Sequence, residues 1–99
     1  MPIRQYPVRT GRKTITNSAT QLTAVDATGL RGVQIVAGSA NADTLYIGES
    51  SAVTADASDT TDGYPLAAGE TLVLPTLRAD ELYLIAAGAG SNKVWWVLV

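Results

Sequence analysis

The chain has 99 residues, a formal net charge of −2 at pH 7, and neither cysteine nor histidine. This composition excludes disulfides, thiolate chemistry, Cys/His zinc sites and every mechanism that needs a histidine base. A chain of this length forms one small domain with a single core, and such domains often gain stability by associating with further copies.

Charge is unevenly distributed along the chain. Residues 1–13 contain four basic residues and no acidic residue: Arg4, Arg9, Arg12 and Lys13. Residues 43–81 contain eight acidic residues against Arg78 alone. We therefore predict a basic N-terminal arm over 1–13, followed by a domain over 14–99. The arm is either a solvated tail or a segment that docks on an acidic neighbour, and four cations without interleaved aromatic residues do not indicate a nucleic-acid partner.

The predicted elements are all strands. Short runs rich in Thr, Val, Ile and Tyr alternate with Gly, Asn, Asp and Ser clusters at intervals of about 8–12 residues, and no apolar stripe has a helical period. In chain order, the predicted strands are 3–9, 12–17, 20–25, 31–37, 43–49, 70–75, 80–87 and 92–99. Seven or eight strands in one domain predict an all-β fold, a single-domain antiparallel β-sandwich of jelly-roll-like type.

The middle strands and the later strands have different patterns. The strands at 31–37 and 43–49 each place apolar residues on one face: Val33, Ile35, Ala37, Leu45 and Ile47. The three later strands are apolar on both faces, although a sandwich strand usually has one wet face. Either loops of the same chain or another copy of the protein cover the second face, and we favour another copy. The predicted self-interface contains Val73, Tyr83, Ile85 and one of the adjacent tryptophans, Trp95 or Trp96.

The C-terminal run from Val94 to Val99 is uncharged and rich in β-branched and aromatic residues. As a free edge it would promote aggregation, so we expect it to be paired on both sides or capped. Because neighbouring strand residues point to opposite faces, one of its tryptophans can anchor the core while the other is available for an interface or a ligand.

The segment "GYPLAAGETLVLP", residues 63–75, raises the question of whether it is a ligand site or a corner of the fold. Gly63 can supply a positive φ, Pro65 favours an extended segment, and Gly69 suits the left-handed position of a tight turn. Leu72 and Leu74 then share the face that points into the core. Since every residue has a folding role, we interpret the segment as a corner.

Acidic residues form two groups that could carry chemistry. Asp56, Asp59 and Asp62 lie in the polar loop 50–62, but their spacing is not that of an EF-hand, so a solvated loop is favoured over a calcium site. Asp80 and Glu81 are adjacent, and neighbours on a strand point in opposite directions and cannot flank one substrate bond. Asp80 is better explained as a turn residue before the strand.

Aromatic residues and glycines complete the search for a site. Five aromatic side chains could form a platform for sugar rings, although aromatics at strand positions more often belong to a core or an interface: Tyr46, Tyr64, Tyr83, Trp95 and Trp96. The glycines match no phosphate-binding motif. We expect no catalytic residue, no cofactor and no metal, and therefore no enzyme.

The order of motifs over residues 30–99 resembles a pattern in small virion proteins of tailed bacteriophages. The pattern has a "G-V-x-I" strand, an Asn-containing turn, a "Y-I-G" strand, a variable loop, "G-x-P-L-x-x-G-E-x-L-x-L" and an "L-Y-x-I-A" strand. The matching residues are Gly32, Val33, Ile35, Asn41, Tyr46, Ile47, Gly48, Gly63, Pro65, Leu66, Gly69, Glu70, Leu72, Leu74, Leu82, Tyr83, Ile85 and Ala86.

This resemblance implies a β-sandwich on a phage head, as a decoration (cement) protein or a head-fibre base. Such proteins commonly act as trimers that clamp neighbouring major capsid subunits. The expected partners are therefore further copies of the chain, as a homotrimer, and the major capsid protein. From their charge alone, we expect the four cations of the arm to be the residues that dock on the capsid. The motif is a scaffold pattern, so no functional residue is carried over from it.

We expect the protein to be made in the host cytoplasm and built into the virion, because no signal peptide or membrane span is evident. Two other interpretations stay open. One is a binding module for a host glycan or a tail or fibre partner, using exposed aromatics and the loop 50–62. The other is an assembly or neck component.

Overall fold

The computed structural model describes residues 10–23, 31–55, 63–75 and 78–99. Within these ranges the chain forms eight β-strands: β1 Thr10–Ile15, β2 Thr20–Gln21, β3 Val33–Ala37, β4 Leu45–Gly48, β5 Tyr64–Leu66, β6 Thr71–Leu74, β7 Tyr83–Ala86 and β8 Asn92–Leu98. A 3₁₀ turn, Ala79–Glu81, precedes β7, so Asp80 is a turn residue, as predicted. The predicted strand 3–9 lies outside the described residues.

The strands form two four-stranded antiparallel sheets. Sheet A has the order β1-β8-β3-β6 and sheet B the order β2-β7-β4-β5. Strands equidistant from the middle of the chain pair with each other, β1 with β8, β2 with β7, β3 with β6 and β4 with β5, and successive pairs alternate between the sheets. The chain is thus one long antiparallel hairpin rolled into two layers, which is the arrangement of a jelly roll. The predicted fold class is confirmed.

The C-terminal strand is central in its sheet. β8 pairs with β1 along one edge and with β3 along the other, so its backbone hydrogen-bonding groups have partners on both sides. This confirms the expectation that so apolar a run is not left as a free edge. The hydroxyl of Thr10 adds a 2.6 Å hydrogen bond to the carbonyl of Trp96.

Alternate residues of the strands point into the space between the sheets and form the core. The predicted apolar faces of β3 and β4 are buried, with Ile35 and Leu45 fully inaccessible. The core consists of Ile15, Leu22, Val33, Ile35, Ala37, Leu45, Ile47, Leu66, Ala79, Leu82, Leu84, Ala86, Val94 and Trp96. Gly11 pairs with Trp96, and a Cβ on Gly11 would lie 2.6 Å from the indole. Glycine therefore makes room at this position for the largest core side chain.

The corner at residues 63–75 contains a short strand that the sequence did not predict. Among the described residues β5 pairs with β4 alone, so Pro65 lies in an edge strand of sheet B, where a residue without an N–H is tolerated. The expected positive φ at Gly63 is wrong. Gly63 instead lies against the backbone of Ile47, where a Cβ would approach the Ile47 nitrogen and oxygen to 2.7 Å.

The turn after β5 has the predicted geometry. The N–H of Glu70 donates to the Ala67 carbonyl at 3.0 Å, and Gly69 has a φ of 82°, as the third position of a type II turn requires. A carboxylate oxygen of Glu70 also accepts the N–H of Ala67 at 2.6 Å. Leu72 and Leu74 pack against the core, so this segment is a corner of the fold.

Two asparagines connect the β3–β4 loop to the beginning of β8. Asn92, the buried polar residue of the described core, accepts the N–H of Asp43 at 3.0 Å. Its Nδ2 donates to Asp43 Oδ2 at 3.1 Å and to the Gly90 carbonyl at 3.2 Å. Asn41 forms two hydrogen bonds with the backbone of Lys93, at 2.8 and 2.9 Å, and so continues the ladder between β3 and β8.

Replacing a valine with alanine should lower the free energy of unfolding much more on the inner face of sheet A than on its outer face. Val94→Ala empties a fully buried site and should lower the free energy of unfolding by about 2 kcal/mol through lost transfer energy and a cavity. Val73→Ala removes the same atoms from a side chain that is 57% exposed and should change it by less than about 0.5 kcal/mol. Urea unfolding of both variants measures the difference, and equal losses would contradict the assigned faces.

Asn92→Ala should destabilise the sandwich by about 2–3 kcal/mol, because it leaves the N–H of Asp43 and the carbonyl of Gly90 without this partner. Asn41→Ala is the matched control, since its two hydrogen bonds lie at the surface and their loss should cost about 1 kcal/mol. Thermal and urea unfolding report both values. A loss at Asn92 no larger than that at Asn41 would rule out the buried amide as the stronger connection.

Candidate interaction surfaces

The outer face of sheet A is apolar at its centre and basic at its edge. The cross-strand register aligns Arg12, Trp95 and Val36 in one row, and side chains two positions away on the same strands share this face. We define this surface, the outer face of sheet A, by Arg12, Val36, Val73, Lys93, Trp95 and Val97. The register places four uncharged polar residues on the same face, Thr10, Thr14, Gln34 and Thr71. Its exposed apolar residues include Val73 at 57% and Trp95 at 40%. The chain's own described residues leave this surface open to a partner.

The two adjacent tryptophans have different environments. Trp96 is 8% exposed and belongs to the core of its own chain. Trp95 points outward, and its indole lies beside Gly38, where a Cβ would come within 3.0 Å of the ring. Of the two tryptophans predicted as alternatives for the self-interface, Trp95 is therefore the one that lies at the surface.

The outer face of sheet B carries the remaining predicted interface residues. Tyr46 is aligned with Ile85 on one side and Pro65 on the other, and Tyr83 is aligned with Gly48. We define this surface, the outer face of sheet B, by Tyr46, Pro65, Tyr83 and Ile85. Both Tyr83 and Ile85 are half-buried. Val53 packs against Gly48, so part of this face is covered by the beginning of the chain's own loop.

The structure does not bring the predicted self-interface residues together. Val73 and Trp95 lie on the outer face of sheet A, whereas Tyr83 and Ile85 lie on the outer face of sheet B, on opposite sides of the molecule. A single patch containing all of them cannot form on one copy. The assignment of each strand to a sheet, which decides this separation, depends on long-range pairing that the sequence pattern did not reveal.

An acidic cavity of about 430 Å³ opens where β4 ends and β7 begins. It is lined by Glu49, Asp80, Glu81, Leu82 and Tyr83. Arg78 neutralises part of this charge, with contacts of 2.6 Å to Asp80 and 3.7 Å to Glu81. Three carboxylates against one guanidinium leave the margin of sheet B negative. Among the described residues no group of three acidic side chains has the arrangement of a metal site.

Sequence reasoning missed the contribution of Glu49 to this cavity. Glu49 is more than thirty positions from Asp80, and pairing of Gly48 with Tyr83 brings the two segments together. The backbone carbonyl of Asp80 accepts a 2.7 Å hydrogen bond from the Gln21 side chain, which ties the 3₁₀ turn to β2. Asp80 and Glu81 both contact Arg78, so the two carboxylates do not face each other across a gap that could hold a substrate.

Of the four cations in the predicted basic arm, two lie in a strand and two lie outside the described residues. Arg12 and Lys13 lie within β1, so strand structure begins before the predicted boundary at residue 14. Arg12 is exposed on the outer face of sheet A, and Lys13 is half-buried on the inner side of this edge strand, where a charge discourages edge-to-edge pairing. Arg4 and Arg9 lie outside the described residues, as do the three aspartates of the predicted loop, Asp56, Asp59 and Asp62.

Comparison of the chain with protein-family models, with curated proteins and with solved structures finds no match. In the part of the chain that the structure describes, no helix has the length and apolar character needed to cross a membrane. The two outer faces and the charges beside them are the features of the described chain that point to a function.

The tryptophans provide a direct test of these surfaces. Trp96→Ala should lower the free energy of unfolding by about 3–5 kcal/mol, because it empties a core position, whereas Trp95→Ala should lower it by less than about 1 kcal/mol. Fluorescence of Trp96→Phe and Trp95→Phe provides a second measurement, since the Trp95 signal should be quenched by acrylamide more strongly than the Trp96 signal. The reverse order of quenching would show that the register of β8 is shifted by one residue.

Proposed function

We propose that this protein is a structural component of a tailed-phage head, a decoration (cement) protein that associates with itself and bridges neighbouring subunits of the major capsid protein. The observation that carries the proposal is the exposed apolar surface on the outer face of sheet A, with Trp95 on the central strand β8 and Val73 on the edge strand β6. Contiguous exposed apolar surface on a small domain is typical of a protein-binding site. The jelly-roll sandwich and the motif order over 30–99 are consistent with this role.

The proposed mechanism is additive burial of surface. Each copy contacts more than one capsid subunit, and a modest interface repeated many times over the head resists the outward pressure of packaged DNA. The arm supplies the capsid contact through Arg4 and Arg9, the two of its four predicted docking cations that precede β1 in the sequence. Basic side chains there would steer the protein towards an acidic capsid surface and select its orientation.

A second candidate is a binding module for a glycan or for a tail or fibre partner. It is favoured by the exposed indole of Trp95 on a flat sheet beside Arg12, since sugar rings stack on such aromatic surfaces while polar groups bind their hydroxyls. A glycan array separates the two functions. Selective glycan signals would support the binding module, and their absence together with head binding would support the decoration protein.

Replacing Arg4 and Arg9 with serine should weaken binding to phage heads about tenfold at ~0.1 M salt, because two exposed ion pairs contribute up to about 1 kcal/mol each. The assay is co-sedimentation with expanded heads that lack this protein. Arg31→Ser, which removes an exposed cation outside the arm, is the control and should bind as the unchanged chain does. If the double variant binds heads with unchanged affinity, the arm is not the docking segment, and failure of the unchanged chain to bind would overturn the decoration role.

A further inference from the structure

The two outer faces carry opposite charge around similar apolar centres. The outer face of sheet A has two exposed cations, Arg12 and Lys93, and no acidic residue among the side chains that define it. The outer face of sheet B is bordered by the acidic cavity, where Glu49 and Glu81 are exposed. Each face therefore has a charged border, and the two borders are of opposite sign.

The apolar centres also correspond to each other. On sheet A they comprise valines and an exposed tryptophan: Val36, Val73, Trp95 and Val97. On sheet B they comprise tyrosines, an isoleucine and a proline: Tyr46, Tyr83, Ile85 and Pro65. Aromatic and aliphatic side chains within a charged rim are the usual anatomy of a protein–protein interface.

Two copies of the same face carry the same charge and repel each other, whereas the two different faces carry opposite charges and attract. A symmetric contact between two sheet A faces would bring Arg12 and Lys93 of one copy towards the same cations of its partner. A symmetric contact between two sheet B faces would bring the carboxylates together. Placing like charges across an interface costs several kcal/mol, whereas complementary borders direct association. Only contact between a sheet A face and a sheet B face satisfies both borders.

We infer that copies of this protein associate head to tail, with the outer face of sheet A of one copy on the outer face of sheet B of the next. This inference rests on the self-association in the proposed function and specifies its geometry. A contact between two different surfaces is heterologous, so it generates a closed ring or an open filament and not a symmetric dimer. Because the two faces lie on opposite sides of the sandwich, repeated contact of this kind stacks copies along one direction, and a ring closes only if each contact also rotates the next copy.

Charge reversal on each face tests the inference. The face A variant carries Arg12→Glu and Lys93→Glu, and the face B variant carries Glu49→Lys and Glu81→Lys, all at exposed positions. Light scattering on a sizing column measures the mass of each, and circular dichroism checks the fold. The unchanged chain should have the mass of an assembly of two or more 10.3 kDa chains. Each variant alone should have the mass of a single chain, 10.3 kDa, at the same concentration.

The combined variant is the decisive control. With all four substitutions in one chain, the sheet A face is acidic and the sheet B face is basic, so the mass should return to that of the unchanged chain. An equimolar mixture of the face A and face B variants should likewise form mixed assemblies. Raising the salt from ~0.1 to ~0.5 M should shift the unchanged chain towards 10.3 kDa, because exposed charges are screened.

Several results would overturn the inference. These are a monomeric unchanged chain, single-face variants that keep the full mass, or a combined variant that stays monomeric. Head binding is measured separately, so the two proposals fail in different ways. A monomer that still binds heads would remove the head-to-tail contact and keep the capsid contact. Assemblies that respond to charge reversal without binding heads would keep the contact and remove the decoration role.

Discussion

Hydrogen bonding along both edges of β8 is the constraint on which the rest of the sandwich depends. A strand without charge after Lys93 would be a site of aggregation if either edge were free. β1 and β3 occupy the two edges, and β6 adds beyond β3 to complete sheet A. The other four strands then form the opposing layer. The position of every core side chain follows from this arrangement, because each strand presents alternate residues to the space between the sheets.

The register of β8 also decides which surface the protein presents. A slip of one residue would exchange the faces of the strand and turn Trp95 inward and Trp96 outward. Gly11 opposes this slip because it is the residue beside which the Trp96 indole fits. Sheet A can therefore hold one tryptophan in the core and offer the other to a partner. The same strand contributes both to stability and to the proposed interaction.

Patterns among neighbouring residues predicted much of this fold, whereas contacts between residues far apart in the sequence were not predicted. Alternation in β3 and β4 predicted the buried faces correctly, and Gly69 marked its turn, because both signals lie within a few neighbouring residues. The three-residue strand β5 was missed because proline is unfavourable in most strands and is tolerated in an edge strand, which is the position of β5 among the described strands. The Asn92–Asp43 contact joins residues 49 positions apart, and no local pattern indicates such a partner.

The sequence predicted which apolar residues form the candidate surfaces, but it did not predict on which sheet each of them lies. The apolar character of the later strands indicated that side chains would remain exposed, and Val73 and Trp95 are exposed. The sequence did not indicate that the residues predicted for a self-interface divide between the two sheets, with β6 and β8 in sheet A and β7 in sheet B. The acidic cavity depends on the same kind of information, since the pairing of β4 with β7 brings Glu49 to Asp80.

The pairing of β1 with β8 has a consequence for how the protein is made. Thr10 and the carbonyl to which it donates are 86 positions apart, so the first described strand has no β8 to pair with until the chain has been synthesised through residue 98. Contacts of such long range close slowly, because the entropy of loop closure opposes them before any pairing compensates. Until β8 has been synthesised, β1 and β3 lack the strand that joins them. Sheet A therefore assembles after translation of β8, and before then its apolar strands have unpaired edges that can pair with other chains.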